Sequence, residues 1–204
     1  MARKLICLFV SLLGFLTMSA KEDSICGVPL HYQVLTSNEP TEGFFWRAGD
    51  NKYDAYYKGA DFILEERKKN ILWLITGASF NTSPGTEMNI DTMYFKNTSE
   101  SPEMELVIGY SLFSMRPDNS GKSKHLAIID LRDKIMLLNI TTYERRLVRD
   151  ENGKFVEYLY QCDVKLFHDG FKVTNTEDSD ISDARTQLSD GVYIRKGHCY
   201  YYHK

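Results

Sequence analysis

Apolar and polar side chains alternate with a period of two residues over long stretches of this chain. The clearest case is the run from Phe155 to Phe167. In that run the apolar set is Val156, Tyr158, Tyr160, Cys162, Val164 and Leu166, and the interleaved polar set is Glu157, Gln161, Asp163 and Lys165. Because successive side chains of a strand point to opposite faces, this pattern predicts a strand with one buried face.

Similar runs follow one another between Lys124 and Asn175. The predicted strands are His125 to Leu131, Ile135 to Val148, Phe155 to Phe167 and Phe171 to Thr174. The dipeptides Asn152-Gly153 and Asp169-Gly170 lie between such runs, and both tolerate the positive φ of hairpin turns. Short turns cannot return a chain in parallel, so this region predicts an antiparallel meander.

The same pattern continues upstream with less regularity. The strand candidates there are Tyr53 to Tyr57, Phe62 to Leu64, Ile71 to Phe80, Met88 to Phe95 and Met104 to Met115. The segment from Asp61 to Ile75 could instead begin as a helix, because Glu and Lys are good helix formers. We favour a hairpin because the run from Ile71 to Ile75 is short and apolar, with β-branched and aromatic residues.

Near the other end, an aspartate-rich loop from Thr176 to Gly191 precedes a last strand from Val192 to Tyr202. The whole pattern predicts an all-β protein, an antiparallel meander of roughly eight to ten strands. Such a meander either closes as a barrel or folds over as a β-sandwich. We favour the barrel, because closure removes unpaired strand edges and the strands after residue 135 are long.

The first 20 residues have the layout of a secretory signal peptide. Arg3 and Lys4 provide a positive start, the run from Leu5 to Leu16 is apolar, and Ser19-Ala20 offers small residues for cleavage. We therefore expect two parts in the chain: a signal peptide, residues 1–20, and a single secreted β domain, residues 21–204. No later segment approaches the ~20 apolar residues of a spanning helix, so we expect no membrane span.

Charge excludes one class of partner. The chain has 28 acidic and 25 basic residues, with a formal net charge of -3. Loss of Arg3 and Lys4 with the signal would make the mature chain still more negative. A negative chain without a basic tract is not expected to bind nucleic acid.

Three cysteines remain after the signal peptide, which removes Cys7: Cys26, Cys162 and Cys199. In an oxidising compartment an odd number indicates one bridge and one unpaired thiol. We predict a Cys162–Cys199 disulfide, because both residues lie in strand-like runs. Cys26 would then be available for a disulfide-linked dimer, and the competing arrangement has Cys26 tying down the mature N-terminus.

Three sequons are expected acceptors of N-linked sugar in a secreted chain. They begin at Asn81, Asn97 and Asn139. Asn97 lies in a polar turn. Asn139 lies within a strand, where the alternation predicts that its side chain points outward.

The segment Gly43-Phe44-Phe45-Trp46-Arg47 resembles the opening of the lipocalin family, which marks its first strand with a glycine, any residue and a tryptophan. Here two residues, not one, separate the glycine from the tryptophan. The resemblance implies a lipocalin-like or calycin-like cup of eight strands that carries a small apolar ligand, with Trp46 closing its base. The alternative is that Phe44, Phe45 and Trp46 simply fill a core.

Aromatic residues are abundant, with 13 Tyr, 11 Phe and 2 Trp. Because aromatic side chains supply much of the contact area in ligand pockets, we predict a secreted binding protein that holds a small hydrophobic molecule in an aromatic-lined barrel. The candidate ligand-binding residues are Trp46, Trp73, Tyr57, Tyr158 and Tyr160. An alternative is a host-directed or cell-surface-directed module that binds an extracellular protein through an exposed aromatic face.

An extracellular enzyme without a recognisable motif is the third alternative. The sequence has no phosphate-binding glycine loop, no Gly-x-Ser-x-Gly elbow and no HExxH motif. We therefore name no catalytic residue, no metal ligand and no cofactor.

Overall fold

The computed structural model describes residues 24–35, 45–58, 61–69, 71–76, 80, 86–98, 104–116, 119–150, 152–178 and 188–203. The predicted signal peptide lies outside these residues. The strands are β1 (Ser24–Cys26), β2 (Val28–Pro29), β3 (Tyr32–Leu35), β4 (Phe45–Gly49), β5 (Tyr53–Lys58), β6 (Asp61–Glu66), β7 (Ile71–Ile75), β8 (Thr86–Lys96), β9 (Glu105–Arg116), β10 (Asn119–Asp130), β11 (Ile135–Arg149), β12 (Phe155–Phe167), β13 (Gly170–Asp178), β14 (Gly191–Lys196) and β15 (Cys199–His203).

The strands form two antiparallel sheets. The larger sheet has ten strands in the order β1-β15-β14-β13-β12-β11-β10-β9-β8, with β2 added beside β11. The smaller sheet has five strands in the order β3-β7-β6-β5-β4. From β8 to β15 every strand pairs with its neighbour in sequence, so the predicted all-β antiparallel meander is confirmed.

Local turn chemistry explains the hairpins. Gly153 has a φ of 77° between β11 and β12, and Asp169 has a φ of 62° between β12 and β13. Gly197, with a φ of 62°, divides the single predicted C-terminal strand into β14 and β15. The segment that could have begun as a helix forms the hairpin of β6 and β7.

Two hydrophobic cores lie on opposite faces of β9 and β10. The first and third residues of segments 106–108 and 127–129 belong to the first core. The middle residues, Val107 and Ile128, belong to the second core. The smaller sheet covers the first core, and side chains from β12 to β15 complete the second. Burial on both faces explains why these segments are continuously apolar.

The described strands do not form the expected closed barrel. The smaller sheet needs a cover for its apolar face, and it packs its Phe62, Leu64 and Ile75 into the first core against the larger sheet. This arrangement corresponds to the sandwich alternative in that part of the molecule. Among the described residues, no helix has the length and apolar character needed to cross a membrane.

The predicted Cys162–Cys199 bridge is wrong, because Cys26 forms the disulfide with Cys199. Cys26 and Cys199 lie directly opposite each other on β1 and β15, with a Cα–Cα distance of 4.0 Å. Cys162 is on β12, and two strands separate it from β15. At ~4.8 Å per strand, this places Cys162 beyond the ~7 Å reach of a disulfide. The odd cysteine is thus the buried Cys162, and Cys26 has no free thiol for the expected dimer.

Candidate functional site

An open groove lies where β10, β11 and β12 run side by side. Its volume is about 430 Å³. The lining residues are Lys122, Lys124, Thr142, Tyr143, Gln161 and Cys162. Lys124, Tyr143 and Gln161 occupy directly opposite positions on the three strands, so their side chains share one face.

Two β-bulges border the groove. Thr142 is the extra residue on β11, and its hydroxyl donates to the carbonyl of Lys124 at 3.3 Å. Thr176 is the extra residue on β13, and its hydroxyl donates to the carbonyl of Gln161 at 3.2 Å. Because a bulge bends its strand and increases the local twist, this pair of bulges creates a concave site in an otherwise regular sheet.

The shared face continues from the groove to the tip of the β11–β12 hairpin, and we call this surface the distal face. Its positions follow from the register of the strands and the alternation of side chains. The distal face comprises Lys122, Lys124, Tyr143, Arg145, Leu147, Arg149, Phe155, Glu157, Leu159 and Gln161. Leu147 and Phe155 are large apolar side chains that remain 43% and 49% exposed.

Positive charge dominates the distal face, which carries four cationic side chains and the single carboxylate of Glu157. That carboxylate forms an ion pair with Arg145, and the hydrogen bond between them raises the pKa of the Arg145 guanidinium. Arg149 lies over the ring of Phe155 at 5.2 Å. Within the part of the chain that the structure describes, neither lysine of the groove forms an ion pair.

Cys162, which carries the free thiol, also lines the groove. It donates to the carbonyl of Thr141 at 3.8 Å, and burial raises its pKa. A thiol with a raised pKa is a poor nucleophile, because the thiolate is the reactive form. Cys162 both lines the groove and belongs to the second core.

The four candidate ligand-binding residues whose side chains are described are not brought together. Trp73 is buried in the first core, with Tyr57 packed at its border, whereas Tyr158 and Tyr160 are fully buried in the second core. Of Trp46 only the backbone is described, within β4. The cavity beside Trp73 has a volume of about 10 Å³, which is room for no more than one water molecule.

The sequons differ in their surroundings. Asn97 is exposed just after β8. The side chain of Asn139 was expected to point outward, but it is half-buried and accepts a hydrogen bond from the Tyr110 hydroxyl at 2.7 Å. The reason is that β11 has cores on both faces at this point. Asn81 lies outside the described residues.

Asp130, Asp133 and His198 form a cluster with the spacing of metal ligands. Their polar atoms are already engaged. Asp130 accepts hydrogen bonds from the backbone N–H groups of Arg132 and Asp133 and pairs with Arg195, and His198 lies 2.8 Å from an oxygen of Asp133. The cluster thus has a structural explanation within the fold.

The residues of the groove were not predictable as one site, although Cys162 was singled out as a disulfide candidate. Lys122 and Lys124 are ordinary surface lysines in the sequence, and they meet Tyr143 and Gln161 only through the register of three strands. The alternation in β10 and β12 was the available signal, but the bulge at Thr142 changes which side chains face the lysines.

No protein-family model, no curated protein and no solved structure matches the chain.

Proposed function

We propose that this chain is a secreted binding protein that recognises another extracellular protein through the distal face. One observation carries the proposal: exposed apolar side chains, cations and an open groove share one face of three adjacent strands. Exposed apolar patches on soluble proteins mark interaction sites, and arginine and aromatic residues supply much of the binding energy at protein interfaces.

The geometry gives less support to a carrier of small apolar molecules. Such sites are cavities of roughly 300–1,000 Å³ with mostly apolar walls. The described aromatic candidates instead pack in two separate cores, and the groove is open and lined by polar groups. A protein partner fits an open and partly charged surface better than an apolar molecule does.

Removal of the exposed apolar side chains tests this function. In the double variant Leu147→Ser/Phe155→Ser, we expect unchanged melting, because both side chains are exposed. We expect capture of an extracellular partner to fall by roughly tenfold or more, the range of a lost hot spot. The measurement is quantitative affinity capture from the medium of the cells that secrete the protein, with thermal melting as the check on folding.

The matched control is Tyr94→Ser/Met104→Ser, which removes two apolar side chains of similar exposure, 42% and 43%, outside the distal face. A partner that the native protein and the control recover, and the distal variant loses, supports the proposal. Equal recovery by all three proteins would overturn it, and so would a small apolar molecule as the one companion seen by native mass spectrometry.

A further inference from the structure

The charged residues that line the groove, Lys122 and Lys124, are both cationic. The other polar groups of the groove are two hydroxyls and an amide. The Thr142 hydroxyl already donates within the sheet. Among the residues that the structure describes, no carboxylate lines the groove, so an anion is the complementary occupant.

On this face, the carboxylates nearest the groove do not lie on β9 or β11, the strands next to Lys122 and Lys124. Asp163 is two residues from Gln161 on β12, and Glu177 lies directly opposite Gln161 on β13.

Glu157, on β12, pairs with Arg145, which lies directly opposite Lys122 on the neighbouring strand β11. Glu87 lies in the same row as Lys122 but two strands away on β8, with Phe113 between them. The ring of Phe113 lies 5.0 Å from the Lys122 ammonium, and no ion pair joins Lys122 to a carboxylate of the described residues.

We infer that the groove binds an acidic side chain from an extended segment of the partner protein, with a carboxylate held between Lys122 and Lys124. This inference rests on the proposed function and names the chemistry of the partner. The chain as a whole is negative, with a formal charge of -3, so a local excess of cations on one face directs an acidic partner to that face.

The apolar part of the distal face favours a peptide over a sulfated glycan. A polysulfate chain would pair with the cations but leave Leu147 and Phe155 exposed to water. An extended peptide repeats its side chains on one face every ~6.8 Å, the same spacing as residues two apart on a strand such as Lys122 and Lys124. A segment with acidic and apolar residues in alternation on one face matches both kinds of group.

A defined peptide tests the inference with the full secreted protein. The probe is a fluorescent peptide in which the unit Glu-Ser-Phe-Ser is repeated three times, and its partner probe has Gln in place of Glu. We expect the Gln peptide to bind roughly tenfold more weakly, and the binding of the Glu peptide to weaken as salt rises. The measurement is fluorescence anisotropy at two ionic strengths.

The charge-reversal variant Lys122→Glu/Lys124→Glu should lose binding of the Glu peptide. The matched control is Lys165→Glu/Lys172→Glu, because those two exposed lysines are paired across β12 and β13 outside the distal face. We expect this control to bind as the native protein does, and both variants are checked by thermal melting.

The outcomes separate this inference from the proposed function. Equal binding of the two peptides, or unchanged binding after charge reversal, would overturn the acidic partner. Binding of heparin that depends on the groove lysines, without binding of the Glu peptide, would also overturn it and point to a sulfated glycan. If either result occurs while Leu147→Ser/Phe155→Ser still abolishes partner capture, the proposed function stands and only the acidic chemistry fails.

Discussion

His125, on β10, lies beside the first core between Tyr110 on β9 and Thr141 on β11. Its ring stacks on Tyr110 with the centroids 4.8 Å apart, and its Nε2 lies 2.7 Å from the Ser123 hydroxyl. Burial lowers the pKa of His125 from 6.5 to about 4. The imidazole is therefore neutral in the folded protein at neutral pH, and it can accept a hydrogen bond from the Ser123 hydroxyl.

Stability should depend on pH through His125. Its pKa is lower in the folded state than in the unfolded state, so the unfolded chain binds more protons between pH 6.5 and about 4. We expect the free energy of unfolding to be highest above pH 6.5 and to fall by roughly 2–3 kcal/mol across that window. Urea unfolding at a series of pH values measures this loss.

The variant His125→Gln should flatten this pH dependence, whereas His168→Gln, at an exposed histidine, should leave it intact. A His125→Gln protein that loses stability on acidification as steeply as the native protein would show that other groups are responsible.

The two described sequons should differ in occupancy. The side chain of Asn139 is half-buried and accepts a hydrogen bond from the Tyr110 hydroxyl. The threonine of its sequon, Thr141, is buried. When the chain is expressed through a eukaryotic secretory pathway, we expect sugar on the exposed Asn97 and none on Asn139, because the half-buried Asn139 side chain leaves no room for a glycan. Enzymatic deglycosylation in ¹⁸O water with peptide mapping reports each site, and labelled Asn139 would contradict the expectation.

Arg195 connects strands that are distant in sequence. Its guanidinium pairs with Glu105 at 2.8 Å and with Asp130 at 3.2 Å, and all three side chains are buried. Glu105 also accepts a hydrogen bond from the backbone N–H of Thr98 at 2.8 Å. The beginning of β9, the end of β10 and β14 are thereby joined at one end of the second core.

Loss of this arginine should be costly, because two buried carboxylates would remain without their cation. We expect Arg195→Met to lower the free energy of unfolding by roughly 3–5 kcal/mol. Arg132→Met removes a more exposed ion pair with Asp133 and should cost less than about 1 kcal/mol. Chemical denaturation of both variants gives the comparison, and similar losses for the two would show that burial does not set the cost.

The disulfide acts on the molecule as a whole. It joins β1 to β15 and closes a loop between residues 173 positions apart. In the chain-entropy model, a loop of that length stabilises the fold by roughly 5 kcal/mol. We expect Cys26→Ala/Cys199→Ala to melt at a markedly lower temperature than the native protein in oxidising buffer.

Reductant provides the control for this prediction. Dithiothreitol should lower the melting temperature of the native protein toward that of the double variant and leave the double variant unchanged. Identical melting of the two proteins in oxidising buffer would show that the bridge contributes nothing to stability.

Strand positions were predictable where the signal is local. The alternation from Phe155 to Phe167 predicted the bounds of β12, and the turns at Gly153 and Asp169 matched the dipeptides that predicted them. The strands before β4 went unpredicted, because β1 to β3 are short and mostly exposed and lack a long alternation. The groove was not predictable, because its residues belong to three strands and two bulges set its shape.

The sequence by itself determined the antiparallel meander, because alternation and turn residues act between neighbours along the chain. It also showed that Cys26, Cys162 and Cys199 can form at most one disulfide among themselves. Only the tertiary structure decided which cysteines pair, because strand order sets the distance between them. It likewise decided that the aromatic residues divide between two cores and that Lys122 and Lys124 face a groove, since these contacts join residues far apart in sequence.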